Sequence, residues 1–228
     1  MKTILCYGDS NTWGYDPVTG GRYDHKTRWP MVLKNILNIN SPPGASEGSG
    51  TSFGSEDPGW WVVEEGLSGR TSCREDPVEG DRNGLRQLLP ILESHKPIDI
   101  VVVMLGTNDL KPRFSPTAFD IARGVQQVAK AVQRSETGPD NTAPKVLMIC
   151  PPPTVESSVF KHLFGNCVEL SRKLPPLYRA MAFECGAAFL DSGKHIKSSE
   201  VDGIHLDAEE HRKLAEAVAK KIRGMVFE

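Results

Sequence analysis

The run "DIVVVML" at residues 99–105 permits few folds. It is apolar without alternation, dominated by β-branched side chains, and too short for a helix. A strand of that kind is buried on both faces, as in parallel sheets covered by helices on each side. The spacing predicts five strands, at 3–7, 60–64, 98–105, 145–149 and 187–190. Between them the apolar period becomes helical. Over 119–132, Ile121, Ala122, Val125, Val128, Ala129 and Val132 fall on one face. A last helix is marked by Asp207 as its cap, with Glu210 three residues on as in a capping box. Its stripe is His211, Leu214, Ala215, Val218, Ala219 and Ile222. Weaker helical patterns cover 28–39, 83–95 and 166–184, the last kinked or interrupted by Pro175-Pro176. Strand alternating with helix predicts an α/β fold, a three-layer αβα sandwich around a five-stranded parallel sheet.

A chain of 228 residues can bury a sizeable core, and one domain over 1–228 is expected. Residues 41–59 are mostly Ser, Gly and Pro and read as a flexible surface insertion, decoration rather than lid. Lys and Arg number 27 against 29 Asp and Glu, so bulk charge draws the chain neither to nucleic acid nor to an anionic membrane. Five cysteines (Cys6, Cys73, Cys150, Cys167, Cys185) lack CxxC spacing, which predicts reduced thiols, with Cys6 inert in the first strand. No apolar stretch approaches the ~20 residues that span a bilayer. The first strand begins too early for a signal peptide, so a cytoplasmic protein is expected if the chain starts here. The histidines other than His205 show no metal spacing, and no metal or other cofactor is expected.

In an open parallel sheet, ligands bind beyond the carboxyl ends of the strands. Four of the five predicted ends carry small or reactive side chains: Gly8-Asp9-Ser10-Asn11-Thr12, then "EEGLSGRTS", then Gly106-Thr107-Asn108-Asp109, and last Asp202-Gly203-Ile204-His205. This set suits acyl transfer. A serine hydroxyl needs a base, a histidine is that base near neutral pH, and a carboxylate on its other nitrogen fixes the tautomer. Asp202 and His205 are three residues apart, so one turn can bring the carboxylate under Nδ1, with Gly203 giving the backbone latitude. The Ser10 N–H, the Gly69 N–H and the Asn108 amide are available as oxyanion donors, although Gly66 offers a backbone freedom similar to that of Gly69. Asp9 and Asp109 read as structural carboxylates, and Arg28-Trp29-Pro30 as packing. Trp13, Tyr15, Thr107, Phe160 and Phe164 are candidates to line the substrate pocket.

In order and spacing, "GDSNTWG", Gly69 in "GLSGRTS", Asn108 in "LGTND" and Asp202/His205 in "DGIH" resemble the four blocks of the SGNH (GDSL-type) hydrolases. The flanking "ILCYGDS", "VVVMLGTND", "CPPP" and "VDGIHL" resemble the bacterial arylesterase/acyltransferase branch. The resemblance spans nearly the whole chain. It implies a flavodoxin-like sandwich with Ser10 as nucleophile, His205 as base, Asp202 as its partner, and Ser10, Gly69 and Asn108 as the oxyanion hole. Asn11 stands where the family name has leucine, a departure that touches no catalytic role. The implied activity is hydrolysis of small carboxylic esters with short acyl groups and aryl or activated alcohols, acetylated sugars included, with acyl transfer to alcohols as an extension. Assembly into a homo-oligomer is open. A lysophospholipase or thioesterase on the same site is the alternative. A nucleotide- or phosphate-binding module fits less well, because the first strand end lacks the three-glycine fingerprint and Asp9 would repel a phosphate.

Overall fold

A computed structural model describes residues 1–39, 59–165 and 167–226. Its strands are β1 (Lys2–Gly8), β2 (Trp60–Gly66), β3 (Ile100–Met104), β4 (Lys145–Cys150) and β5 (Ala188–Asp191). They form one sheet in the order β2-β1-β3-β4-β5, every neighbouring pair parallel. The helices are α1 (Ser10–Trp13), α2 (Trp29–Asn38), α3 (Gly84–His95), α4 (Ala118–Gln133), α5 (Lys161–Phe164), α6 (Val168–Arg172), α7 (Leu174–Glu184) and α8 (Ala208–Val226).

The period-2 geometry of a strand divides each apolar run between two cores. Ile4, Cys6, Ile100, Val102 and Met104 face α2 and α8, where Trp29, Leu33, Leu214 and Val218 meet them. Leu5, Tyr7, Val101 and Val103 face α3, α4 and α7, against Leu88, Val125 and Tyr178. Each fully buried aliphatic side chain contributes about 1.5–3 kcal/mol relative to exposure. The expected αβα sandwich is thus present. β3 is shorter than its apolar run, because Ile98 donates its N–H to the Thr137 carbonyl and the Leu105 carbonyl accepts from the Tyr178 hydroxyl. Both residues leave the ladder but stay in the core.

One local expectation changes. Glu210 does not complete a capping box with Asp207. Its carboxylate accepts the Lys197 N–H and pairs with Lys213. A capping box does form at the start of α4, where Thr117 and Asp120 exchange hydrogen bonds. Pro175-Pro176 acts as predicted: the helical stretch breaks at Lys173, and the prolines open α7, where a missing N–H costs nothing. The segment expected as an insertion at 41–59 lies, apart from Gly59, outside the described residues.

Strand order reverses between β1 and β3. The chain leaves β1 for one side of the sheet and β3 for the other, so connections diverge at their carboxyl ends and leave a crevice. Ser10 follows β1 and Asn108 follows β3. Both stand at that crevice.

Candidate active site

The turn after β1 is built to present Ser10. Asp9 caps α1, its Oδ1 accepting the Asn11 N–H at 3.0 Å, and its carbonyl accepts from Thr12 and Trp13. This tight turn sits directly on the end of β2. A Cβ on Gly66 would lie 2.1 Å from the Trp13 nitrogen, so only glycine allows the approach. Gly66 is therefore fixed by its packing against α1.

The imidazole arrives from the other end of the chain. The loop after β5 is held by the segment after β4: Ser198 donates to the Pro153 carbonyl and Val155 to the Gly203 carbonyl, both at 3.0 Å. Gly203 has φ +79°, and a Cβ there would meet the Val155 oxygen at 2.4 Å. That close seat folds residues 202–205 into one turn. Asp202 Oδ1 accepts the N–H groups of Ile204 and His205, each at 2.9 Å, and Oδ2 meets His205 Nδ1 at 2.6 Å. His205 Nε2 lies 2.9 Å from Ser10 Oγ. All three side chains are almost fully buried. The structure thus joins Ser10, His205 and Asp202 in one chain of hydrogen bonds.

Electrostatics around this chain are uneven. Burial pushes the Asp202 carboxyl up, but His205 and the two N–H groups outweigh it and hold the carboxyl below its ordinary range. Asp9 has fewer compensations. Burial raises its carboxyl to about 6, opposed by the Asn11 N–H and the His205 charge, and its Oδ2 has no partner among the described residues. The expectation of a structural Asp9 fits its role as cap.

The expected donors border the same crevice. Among the described residues, no acceptor takes the N–H of Ser10 or of Gly69, whose φ is +83°. Asn108 donates one amide hydrogen to the Arg70 carbonyl at 3.2 Å, and the other has no acceptor among the described residues. Behind it Asp109 is fully buried and accepts from the Ser72 N–H and hydroxyl at 2.8 and 2.6 Å, tying the β3 loop to the β2 loop.

Tyr15 and Phe160 both reach the imidazole. The Tyr15 ring centroid is 4.0 Å from that of His205, tilted 31°, and Phe160 stands at 5.7 Å and 74°. Trp13 lies farther along the rim, its ring under the Arg22 guanidinium at 5.1 Å. Thr107 is buried directly before Asn108, and its carbonyl starts the turn by accepting from Leu110. Phe164 is mostly buried beneath Lys111. A cleft of about 620 Å³ opens beside the site. It adjoins Asp202, Ile204 and Phe160 rather than Ser10.

Three supporting residues hold the site through partners that the sequence does not show. Arg70 is buried, lies over the Tyr7 ring at 4.2 Å, and donates to the Gly8 and Glu65 carbonyls, fastening the ends of β1 and β2. Asn11 Nδ2 donates to the Ile204 carbonyl at 3.3 Å, linking the residue after Ser10 to the residue before His205. Arg28 makes a two-pronged contact with Glu64 at 2.9 and 2.8 Å and donates to the Tyr23 carbonyl, so the Arg28-Trp29-Pro30 stretch anchors a loop as well as packing. Long-range partners of polar residues leave no local pattern.

Among the described residues, no three His, Cys, Asp or Glu side chains gather as metal ligands, and no helix is long and apolar enough to cross a membrane. Comparisons with known proteins add independent findings. The chain is 24% identical over 236 residues to an acetylxylan esterase of Xylanibacter ruminicola, covering 96% of this chain but only 43% of that longer protein. A carbohydrate acetylesterase family member from Sinorhizobium meliloti has a similar structure, with TM-score 0.86, 37% identity and full coverage of both chains. The aryl esterase of M. smegmatis gives TM-score 0.85 and 36% identity over 98% of this chain and 99% of its own. A sequence model of the GDSL-like lipase/acylhydrolase family matches residues 6–213, a span that contains the Ser10, Asn108 and Asp202–His205 segments, and the chain belongs to that family.

Proposed function

We propose that the protein is a serine ester hydrolase for small carboxylic esters, with Ser10 as nucleophile, His205 as general base and Asp202 as its orienting partner. The observation that carries this reading is the contact of Ser10 Oγ with His205 Nε2 at 2.9 Å between residues 195 apart in sequence. Side chains so far apart meet on a strand-end rim only if the fold brings them there.

Ser10 Oγ attacks the acyl carbon while Nε2 takes its proton, and the C–O π electrons move to the carbonyl oxygen. That oxygen is met by the Ser10 and Gly69 N–H groups and the second Asn108 amide hydrogen. Loss of one such donor typically costs about 3–4 kcal/mol of the barrier. His205 then gives its proton to the departing alcohol, whose C–O bond breaks as the carbonyl reforms. Water, deprotonated by the same imidazole, repeats the sequence on the acyl-enzyme and frees the acid. Trp13, Tyr15, Thr107 and Phe160 line the approach.

The substrate class rests on the relatives. Two of the similar proteins described above are a carbohydrate acetylesterase family member and an aryl esterase, and the longer relative is an acetylxylan esterase. These point to short acyl groups on aryl alcohols or acetylated sugars. Acyl transfer is an extension of the same chemistry, in which an alcohol replaces water at the second step. We also read residues 1–228 as one domain of a cytoplasmic protein, a placement supported by its free thiols.

The test pairs Ser10→Ala with wild type on a chromogenic acetate ester. Expected is a folded variant with turnover near background, and retained turnover would refute the assignment. A series from acetate to decanoate then decides the acyl class. Falling kcat/KM with chain length supports the small-ester reading, whereas a rise toward decanoate would favour the lysophospholipase or thioesterase alternative.

A further inference from the structure

We infer that Tyr15 is a positioning residue for the base: its ring face holds the His205 imidazole in register with Ser10 and Asp202 and favours the cation formed when that ring takes the serine proton. The inference rests on the proposed role of His205.

The two ring nitrogens of His205 are held at their ends, Nδ1 by Asp202 at 2.6 Å and Nε2 by Ser10 at 2.9 Å. Two such contacts fix the line through the nitrogens. They leave the ring free to tilt about that line. A flat surface against one face removes the freedom, and Tyr15 supplies it, with centroids 4.0 Å apart and planes only 31° from parallel. Phe160 limits the opposite motion, standing 5.7 Å away at 74°. The two aromatic rings also touch each other edge to face, centroids 6.3 Å apart.

Tyr15 is mounted on the nucleophile's own backbone. Its N–H donates to the Ser10 carbonyl at 3.0 Å, and its far side pairs with Arg22 in an antiparallel bridge. Arg22 in turn donates to the Trp13 carbonyl at 2.7 Å. Ring and nucleophile therefore move as one unit. The Tyr15 hydroxyl has no hydrogen-bond partner among the described residues, so the ring is the part that matters.

An aromatic face carries negative potential and attracts a cation lying over it. The other groups facing the imidazole are Asp202 and Ser10, Asp9 from the end of β1, and His211 from α8, which burial keeps uncharged. Glu156 and Lys161 line the neighbouring cleft with Phe160. Of the two aromatic rings against the imidazole, Tyr15 offers its face at a tilt of 31°, whereas Phe160 stands edge-on at 74°.

Tyr15→Phe and Tyr15→Leu separate the contributions. The phenylalanine variant, which keeps the ring face, should retain more kcat than the leucine variant and leave the pH profile in place. The leucine variant should lose about two- to fivefold in kcat for a small acetate ester, over and above the rise in KM that a residue lining the approach entails. Its acid limb should move to lower pH by about half a unit, because the imidazolium has lost a stabilising face. Water entering the vacated space would move that limb the other way. NMR titration of the His205 ring in the same variants should show the same displacement without any turnover, so a protein that hydrolysed no ester would still decide the point. An acid limb unmoved or shifted upward in the leucine variant, a loss confined to KM, or a phenylalanine variant as impaired as leucine would overturn the inference.

Discussion

Asp202 makes two kinds of contact through two oxygens, and substitution can separate them. Oδ1 accepts the N–H groups of Ile204 and His205, whereas Oδ2 alone meets the imidazole. In Asp202→Ala both backbone donors lose their acceptor in a buried turn, at about 1–3 kcal/mol each, so destabilisation of about 2–6 kcal/mol is expected. In Asp202→Asn the amide oxygen can occupy the Oδ1 position and keep both bonds. The amide nitrogen then faces Nδ1 and turns the imidazole into the tautomer whose proton sits on Nε2. That tautomer cannot accept from Ser10. Turnover should fall about 10⁴-fold, or roughly 5.4 kcal/mol of barrier, with stability within about 1 kcal/mol of wild type. Urea denaturation and initial rates on a chromogenic acetate ester measure the two quantities on the same samples. An asparagine variant as unstable as alanine, or one within tenfold of wild-type turnover, would refute this division of labour.

Gly66→Ala places a methyl 2.1 Å from the Trp13 nitrogen and must push α1 off β2. Loss of turnover with about 1–3 kcal/mol of stability is expected, while Gly224→Ala, which meets nothing within 4 Å, serves as an unaffected control. His211 is fully buried, accepts the Trp29 N–H, and is pushed by burial down to about 3. Its folded-state pKa lies below the unfolded one, so the unfolded chain takes the proton first. Its contribution is present above about pH 6.5 and lost as pH falls toward 3, with a slope of up to about 1.4 kcal/mol per pH unit. His211→Gln should flatten that part of the stability profile measured by urea titration.

Much of the architecture was legible because it depends on periodicity. The continuous run at 99–105 announced a strand covered on both faces, and the stripe from Ile121 to Val132 announced α4. Strand-end residues were legible too, since an open parallel sheet sends every carboxyl end to one rim. What the sequence hid was side-chain partnership across distance. Glu210 looked like half of a capping box because Asp207 stands three residues before it, yet Lys197 N–H, far outside that window, claims its carboxylate. Asn11 looked like a neutral replacement for leucine, yet its amide reaches the Ile204 carbonyl 193 residues away. Arg70 showed no local partner, and the carbonyls it fastens belong to two adjacent strand ends. The rings of Tyr15 and Phe160 read only as apolar lining, because nothing in spacing says which ring stacks on an imidazole.

The claim beneath all of this is that the Ser10 hydroxyl is made reactive by His205. Treatment with a serine-directed organophosphate, followed by peptide mass spectrometry, tests it directly. One adduct on Ser10 is expected, formed at least a thousandfold more slowly in His205→Ala. An adduct elsewhere, no adduct, or equal labelling rates with and without the imidazole would contradict the account.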